Sequence, residues 1–205
     1  MAFYFTIALF VFSLWYLRYS HKKFLKQNRP TAGKNIIAFG DSLTAGEGSS
    51  DGHNFVSVLS KRIGVPIINA GHGGDTTRDA LERLQRDVLS REPKLVLVLL
   101  GGNDALRGIP QKETFKNLEE IIDRIHTKGS CVLLLGVRGG IFFDYFKRGF
   151  NRLAKEKKVF YVPDIFSFFL EPDLKSDYIH PNDNGYKVIA NRIEPILREL
   201  VQEYF

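Results

Sequence analysis

Five short apolar runs recur along the chain, and none of them alternates with polar residues. Runs of this kind are typical of β-strands whose two faces are both covered, as in a parallel sheet. The five predicted strands lie at residues 35–39, 66–70, 94–100, 131–137 and 159–162.

Stretches with helical periodicity separate these runs, and a last one follows the fifth. The predicted helices lie at residues 54–63, 76–89, 114–128, 144–157 and from 183 onward. Pro195 falls inside the last stretch, where proline is expected to kink or divide a helix. The alternation of strands and helices predicts an α/β fold, with a parallel five-stranded sheet and helices on both of its faces.

An uncharged segment precedes the first strand. Residues 2–17 contain no charged side chain, and aromatic residues lie near both ends of the segment. A helix of this length, about 24 Å, is short for a hydrocarbon core of about 30 Å, but it can span one. We therefore predict a membrane-anchor helix at residues 1–18, a basic juxtamembrane linker at 19–34 and one globular domain at 35–205.

A cleaved export signal is the main alternative for this segment, and it would place the domain in the periplasm. A signal peptide carries positive charge before its apolar run and a small-residue cleavage site after it. In this chain the charges of Arg18, Lys22 and Lys23 follow the run instead. Positive charges that flank a membrane span tend to remain on its cytoplasmic side. This order therefore predicts a single-pass, membrane-anchored protein with a cytoplasmic domain.

The excess of basic residues is confined to the N-terminal part of the chain. The 205 residues include 29 basic and 23 acidic side chains, which gives a net charge of +6. Six of the basic residues precede Asp41, the first acidic residue, so the remainder is neutral. We therefore expect no nucleic-acid partner. The single cysteine, Cys131, lies in an apolar run, where a buried and unreactive thiol is expected.

Polar and glycine-rich groups follow three of the predicted strands, and a fourth group precedes the last helix. In open α/β sheets, ligands bind at the carboxyl ends of the strands. We therefore expect these groups to form one site. They lie at residues 40–44, 71–75, 101–104 and 176–182.

Nucleotide-binding motifs do not account for these groups. Five residues separate Gly40 from Gly46, where a phosphate loop has four, and Glu47 replaces the lysine that binds phosphate. Thr76 stands where a dinucleotide fingerprint requires its third glycine. Because the His, Cys and carboxylate residues also lack metal-ligand spacing, we predict neither a metal nor a cofactor.

The same groups supply the parts of a serine hydrolase. The Ser42 hydroxyl needs a base, for which His180 is the candidate, and Asp177 can orient the imidazole. The backbone amides of Ser42 and Gly74 and the side chain of Asn103 can stabilise an oxyanion. Each residue alone is a weak signal, because such residues are more often part of a turn or a helix cap than of an active site. The prediction therefore depends on their joint occurrence at the strand ends.

Four sequence blocks resemble those of the GDSL or SGNH hydrolase family, and the resemblance covers residues 35–202. It is strongest to the bacterial branch of thioesterases, arylesterases and lysophospholipases. The resemblance implies a flavodoxin-like, three-layer α/β/α fold and hydrolysis of acyl esters or thioesters, and it favours Gly74 over Gly73 as the oxyanion donor. The blocks are FGDSLTAG at 39–46, NAGHGGDTT at 69–77, GGNDALRG at 101–108 and DYIHPN at 177–182.

The predicted substrate is a small-molecule or lipid ester. Two other functions are open, a carbohydrate or cell-wall O-acetyl esterase and a non-catalytic, membrane-tethered binding protein. Two aromatic-rich segments, 142–150 and 166–170, either line an acyl channel or pack in the core. Glu47, His72 and Arg107 are candidates for contact with the substrate.

Overall fold

A computed structural model describes residues 2–137, 144–165 and 171–205 of the chain, with the side chains of 2–12 and 144–145 left out of the description. The strands are β1 (Asn35–Gly40), β2 (Ile67–Gly71), β3 (Pro93–Leu99), β4 (Cys131–Leu135) and β5 (Phe160–Val162). The helices are α1 (Ala2–Gln27), α2 (Ser42–Ala45), α3 (Phe55–Ile63), α4 (Thr77–Asp87), α5 (Gly102–Leu106), α6 (Gln111–Thr127), α7 (Asp144–Glu156) and α8 (Asp183–Tyr204). Single 3₁₀ turns lie at Leu89–Arg91 and Pro172–Leu174.

All five strands are parallel, and their order in the sheet is β2-β1-β3-β4-β5. The predicted α/β fold with a parallel five-stranded sheet is therefore confirmed, with strand limits that differ from the predicted ones by a few residues. The chain reverses its direction of travel across the sheet between β1 and β3. In such sheets a crevice opens at the carboxyl ends of the two strands where this reversal occurs.

Alternate residues of each strand point to opposite faces, and each face has its own apolar core. Ile36 and Ala38 of β1 pack toward α3 and α8, whereas Ile37 and Phe39 pack toward α4, α6 and α7. Because both faces are covered, the strands are almost continuously apolar, as the sequence pattern predicts. The result is the three-layer α/β/α arrangement that the family resemblance implies.

Helix α8 continues through Pro195, so of the two effects expected of this proline, a kink or a division, the division does not occur. Cys131 is buried, and its burial raises the pKa of the thiol to about 12, as expected of an unreactive cysteine.

The described part of the first aromatic-rich segment packs in the core. The ring centroid of Phe115 lies 5.8 Å from that of Phe146 and 5.3 Å from that of Phe150. Residues 142–143 and 166–170 of the aromatic-rich segments lie outside the described residues.

Helix α1 contacts the domain through its last turns. Leu25 is buried, and its carbonyl accepts a hydrogen bond from Tyr204 at the end of α8. Residues 13–19 are exposed on every side of the helix. The described residues include no helix that combines the length and the apolar character needed to cross a membrane. The predicted anchor at 1–18 is thus not shown, and the side chains of 1–12 are outside the description.

Candidate active site

Ser42 lies at the carboxyl end of β1, as the first residue of α2. The Asp41 carboxylate caps this short helix by accepting a hydrogen bond from the Leu43 amide at 3.1 Å. A side chain at Gly40 would overlap Thr44 Oγ1 and the Leu99 carbonyl, so only glycine fits between the strand and the turn. The tight turn therefore presents the Ser42 hydroxyl at the edge of the sheet.

The Ser42 hydroxyl, His180 and Asp177 form a hydrogen-bonded chain. Nε2 of His180 lies 3.1 Å from Ser42 Oγ, and Nδ1 lies 2.8 Å from Asp177 Oδ2. The other Asp177 oxygen accepts hydrogen bonds from the backbone amides of Ile179 and His180, both at 2.7 Å. These hydrogen bonds from His180 and Ile179 lower the pKa of Asp177 to about 2. The carboxylate is therefore ionised at neutral pH, as a partner for Nδ1–H must be.

The loop that carries His180 is fixed by the cap of α8. Asn182 accepts hydrogen bonds from the amides of Asn184 and Gly185, which satisfies the first turn of the helix. The Asn182 side-chain amide also donates to the carbonyls of Asp173 and Lys175, at 2.8 and 3.2 Å. One capping residue thus connects α8 to the preceding loop and holds the position of the imidazole.

The two predicted oxyanion donors outside α2 follow β2 and β3, the strands on either side of β1. Gly74 has a φ of +78°, a left-handed conformation that disfavours other residues. Asn103, in α5 after β3, donates one side-chain N–H to the Asp75 carbonyl at 2.9 Å. In the described part of the chain, the backbone amides of Ser42 and Gly74 donate no hydrogen bond to the protein. Both amides are therefore available to a bound oxygen.

A buried arginine, Arg83, which the sequence motifs do not indicate, contacts the strand ends that precede these loops. Arg83 binds Asp75 at 2.5 Å and Asp87 at 3.1 Å, with its side chain only 9% exposed. Its remaining N–H groups donate to the carbonyls of Ala70 and Gly40, at the ends of β2 and β1. Its position among the apolar residues on the inner face of α4 is the signal that could have identified it.

Burial of Asp41 changes the electrostatics next to the nucleophile. Its burial, and to a lesser extent the nearby charge of Asp75, raise the pKa of Asp41 to about 7. Burial also raises the pKa of Tyr186, and the negative charges of Asp41, Glu47 and Asp177 raise it further. Asp41 is therefore partly protonated near neutral pH, directly beside the nucleophile.

The three candidates for substrate contact take different positions. Glu47 Oε2 lies 3.4 Å from Nε2 of His180. His72 pairs with Asp75 at 3.0 Å, and its ring is 71% exposed. Arg107 donates to the Gly74 carbonyl at 2.7 Å. Of the three, Glu47 faces the hydrogen-bonded chain itself, whereas His72 lies on the loop of Gly74 and Arg107 contacts that loop from the end of α5.

Comparison with known proteins agrees with this arrangement. Residues 38–188 match the GDSL-like Lipase/Acylhydrolase family. The chain is 30% identical to Esterase TesA of Pseudomonas aeruginosa, over 83% of this chain and 90% of that protein. It is 31% identical to Thioesterase 1/protease 1/lysophospholipase L1 of Escherichia coli K12, over 84% of this chain and 88% of that protein.

A solved crystal structure of TesA superposes with a TM-score of 0.76 at 28% sequence identity, covering 82% of this chain and 99% of that one. The fold and the family match therefore extend over the same globular domain. The chain belongs to the GDSL-like lipase/acylhydrolase family and is an ester-hydrolysing enzyme.

Proposed function

We propose that the chain is a serine esterase that hydrolyses carboxylic ester or thioester bonds through an acyl-enzyme. The observation that carries this proposal is the hydrogen-bonded chain from Ser42 through His180 to Asp177. A serine hydroxyl is a weak nucleophile unless an adjacent base accepts its proton. His180 is within reach of that proton, and the ionised Asp177 selects the tautomer in which Nε2 is free to accept it.

In the first half of the reaction, Ser42 Oγ attacks the carbonyl carbon and its proton passes to Nε2 of His180. The amides of Ser42 and Gly74 and the Asn103 side chain hold the oxyanion that develops. Protonated His180 then gives its proton to the leaving alcohol or thiol, and the acyl group stays on Ser42. In the second half, water attacks the acyl-enzyme with His180 again as the base, and this releases the acid. No metal or cofactor takes part in the proposed reaction.

Labelling with a fluorophosphonate tests the nucleophile directly. The probe should label the wild-type protein, and Ser42→Ala should abolish both labelling and hydrolysis of a short-chain nitrophenyl ester. Ser90→Ala is the matched control, because this exposed serine donates its hydroxyl to the Arg86 carbonyl, beside the amino end of β3. Labelling that persists in Ser42→Ala would reject Ser42 as the nucleophile. Absence of labelling in the wild-type protein would favour a non-catalytic binding protein.

The acyl group of the substrate is a separate part of the proposal. Similarity to a thioesterase and lysophospholipase supports esters or thioesters of longer acyl chains. The alternative, an O-acetyl esterase acting on carbohydrate or cell-wall esters, uses the same chemistry with a smaller acyl group. Nitrophenyl esters from acetyl to dodecanoyl distinguish the two, because a strict preference for acetyl would reject the lipid substrate.

Attachment to a membrane through the N-terminal segment also belongs to the proposal. It is supported by the uncharged run at 2–17 and by exposed apolar side chains at Leu14, Trp15 and Leu17 on α1. The export of a cleaved form to the periplasm is the alternative. Alkaline carbonate extraction of membranes tests attachment, and a periplasm-dependent reporter at the C-terminus tests on which side the domain lies.

A further inference from the structure

A second carboxylate lies beside the catalytic imidazole. Oε2 of Glu47 is 3.4 Å from Nε2 of His180, the same nitrogen that faces Ser42 Oγ at 3.1 Å. The Glu47 side chain is 49% exposed, so it borders the opening of the site. Within the described ranges, His180 is the one basic residue that Glu47 faces in an ion pair. The carboxylate is thus not neutralised by a lysine or arginine of its own.

The main chain of Glu47 is held in place from two sides. Its amide donates to the Ser42 carbonyl at 3.0 Å, and its own carbonyl accepts a hydrogen bond from the Tyr186 hydroxyl at 2.7 Å. Tyr186 is fully buried. The next residue, Gly48, has a φ of +88°, and a side chain there would overlap Ser176 Oγ. The turn therefore fits closely against the loop that carries His180.

A missing side chain makes room for the carboxylate. A Cβ atom at Gly73 would overlap Oε1 of Glu47. Gly73 has no positive φ, so space rather than backbone conformation is what glycine provides there. The Glu47 carboxylate consequently extends from His180 to the loop of the proposed oxyanion donor Gly74.

The basic side chains near this site, Arg107 and His72, bind other groups. Arg107 donates to the Gly74 carbonyl and lies 4.0 Å from Asp79, and the exposed His72 pairs with Asp75. The charge that faces the Nε2 side of the site is therefore negative. In the proposed mechanism, Nε2 protonates the oxygen or sulfur of the leaving group, so that group must pass beside Glu47.

We infer that Glu47 determines leaving-group specificity. Its carboxylate favours esters whose alcohol part carries a positive charge and disfavours those whose alcohol part carries a negative charge, because opposite charges attract across a short, partly desolvated distance. This inference depends on the proposed serine-esterase function, since that function places the leaving group at Nε2.

Three aryl acetates that differ in the charge of the leaving phenol test the inference. They carry a 3-trimethylammonio group, the isosteric neutral 3-tert-butyl group or a 3-carboxylate group. For each ester, kcat/KM is measured with the wild-type protein and with Glu47→Gln, so that differences in intrinsic reactivity cancel between the two proteins. Glu120→Gln is the control, because it removes an exposed carboxylate on α6 whose partner is Arg124 at 4.0 Å.

The preference for the cationic over the anionic ester should fall by about fivefold or more in Glu47→Gln and should be unchanged in Glu120→Gln. The wild-type preference should also weaken as ionic strength rises. Equal preferences in the wild-type protein and Glu47→Gln would overturn the inference. A loss of rate of the same size for all three esters would also overturn it, because it would assign Glu47 to proton transfer. If the wild-type protein hydrolyses none of the esters, or if Ser42→Ala hydrolyses them equally well, the proposed function itself fails.

Gly73→Ala provides a second variant that keeps the charge and changes its position. The new methyl group displaces the flexible end of Glu47, and the backbone at position 73 tolerates alanine. An intermediate loss of the cationic preference is expected. If Gly73→Ala keeps the wild-type preference, the position of the Glu47 carboxylate does not determine leaving-group specificity.

Discussion

The carboxylate of Asp177 binds His180 at two points, the ring Nδ1 at 2.8 Å and the backbone amide at 2.7 Å. The two bonds use different oxygens, so the carboxylate fixes both the position of the main chain and the orientation of the imidazole.

Asp177→Asn separates these two effects. The amide oxygen can still accept from the backbone amides, but its NH₂ group would face Nδ1 and favour the wrong tautomer of His180. We expect kcat for a nitrophenyl ester to fall by about 10³- to 10⁴-fold with little change in melting temperature. Asp173→Asn, in the same segment, should keep the wild-type rate. A fall of less than tenfold in Asp177→Asn would remove this residue from the mechanism.

Asn103→Ala removes one proposed oxyanion donor. Because this donor acts most strongly in the transition state, kcat should fall by about 10²- to 10³-fold while KM changes little. The Asn103 side chain also donates to the Asp75 carbonyl, so the melting temperature must be measured in parallel. Asn117→Ala is the matched control, since it loses a comparable hydrogen bond, to Thr77 Oγ1. Full activity of Asn103→Ala would contradict its assignment.

Asp41 makes stability depend on pH. Its pKa of about 7 in the folded protein exceeds its ordinary value of 3.8, so between these values the folded state binds a proton that the unfolded state has lost. The contribution of Asp41 to stability is therefore fully present below about pH 4, decreases as pH rises, and is lost above about pH 7. Asp41→Asn removes this dependence and keeps a helix cap.

The melting temperatures of wild-type protein and Asp41→Asn, measured from pH 4 to 9, test this expectation. The variant should gain about 3–5 kcal/mol in free energy of unfolding relative to the wild-type protein between pH 4 and pH 9. A difference between the two proteins that does not change with pH would show that Asp41 is ionised in the folded state.

Arg83 and Arg86 provide a matched pair for stability, since both bind Asp87 but their side chains are 9% and 76% exposed. Arg83→Ala leaves Asp75 buried without its cation and should lower the free energy of unfolding by about 3–5 kcal/mol. Arg86→Ala should change it by less than about 1 kcal/mol. Urea denaturation measures both, and equal losses would contradict the structural role of Arg83.

The apolar runs predict the sheet because strands covered on both faces must be apolar along their whole length. The sequence likewise predicts that Ser42 and Asn103 meet, because both follow strands that end at the same edge of the sheet. His180 belongs to the same prediction because its polar group directly precedes the last helix, α8.

Other features depend on distances that the sequence does not contain. The raised pKa of Asp41 depends on its degree of burial, and the role of Arg83 depends on how close α4 lies to the ends of β1 and β2. The contact of Glu47 with His180 joins residues that are remote in sequence, and no local pattern encodes it. The local pattern at Pro195 predicts a kink or a division of α8, and the helix continues without division because its packing depends on residues far along the chain.

The bond between Ser42 and His180 joins residues 138 positions apart, and His180 lies on the loop that the cap of α8 holds in place. Activity consequently reports whether α8 and its preceding loop are docked on the sheet. A molecule whose sheet is intact but whose α8 has locally undocked already lacks its base, so inactivation on heating should precede the loss of secondary structure.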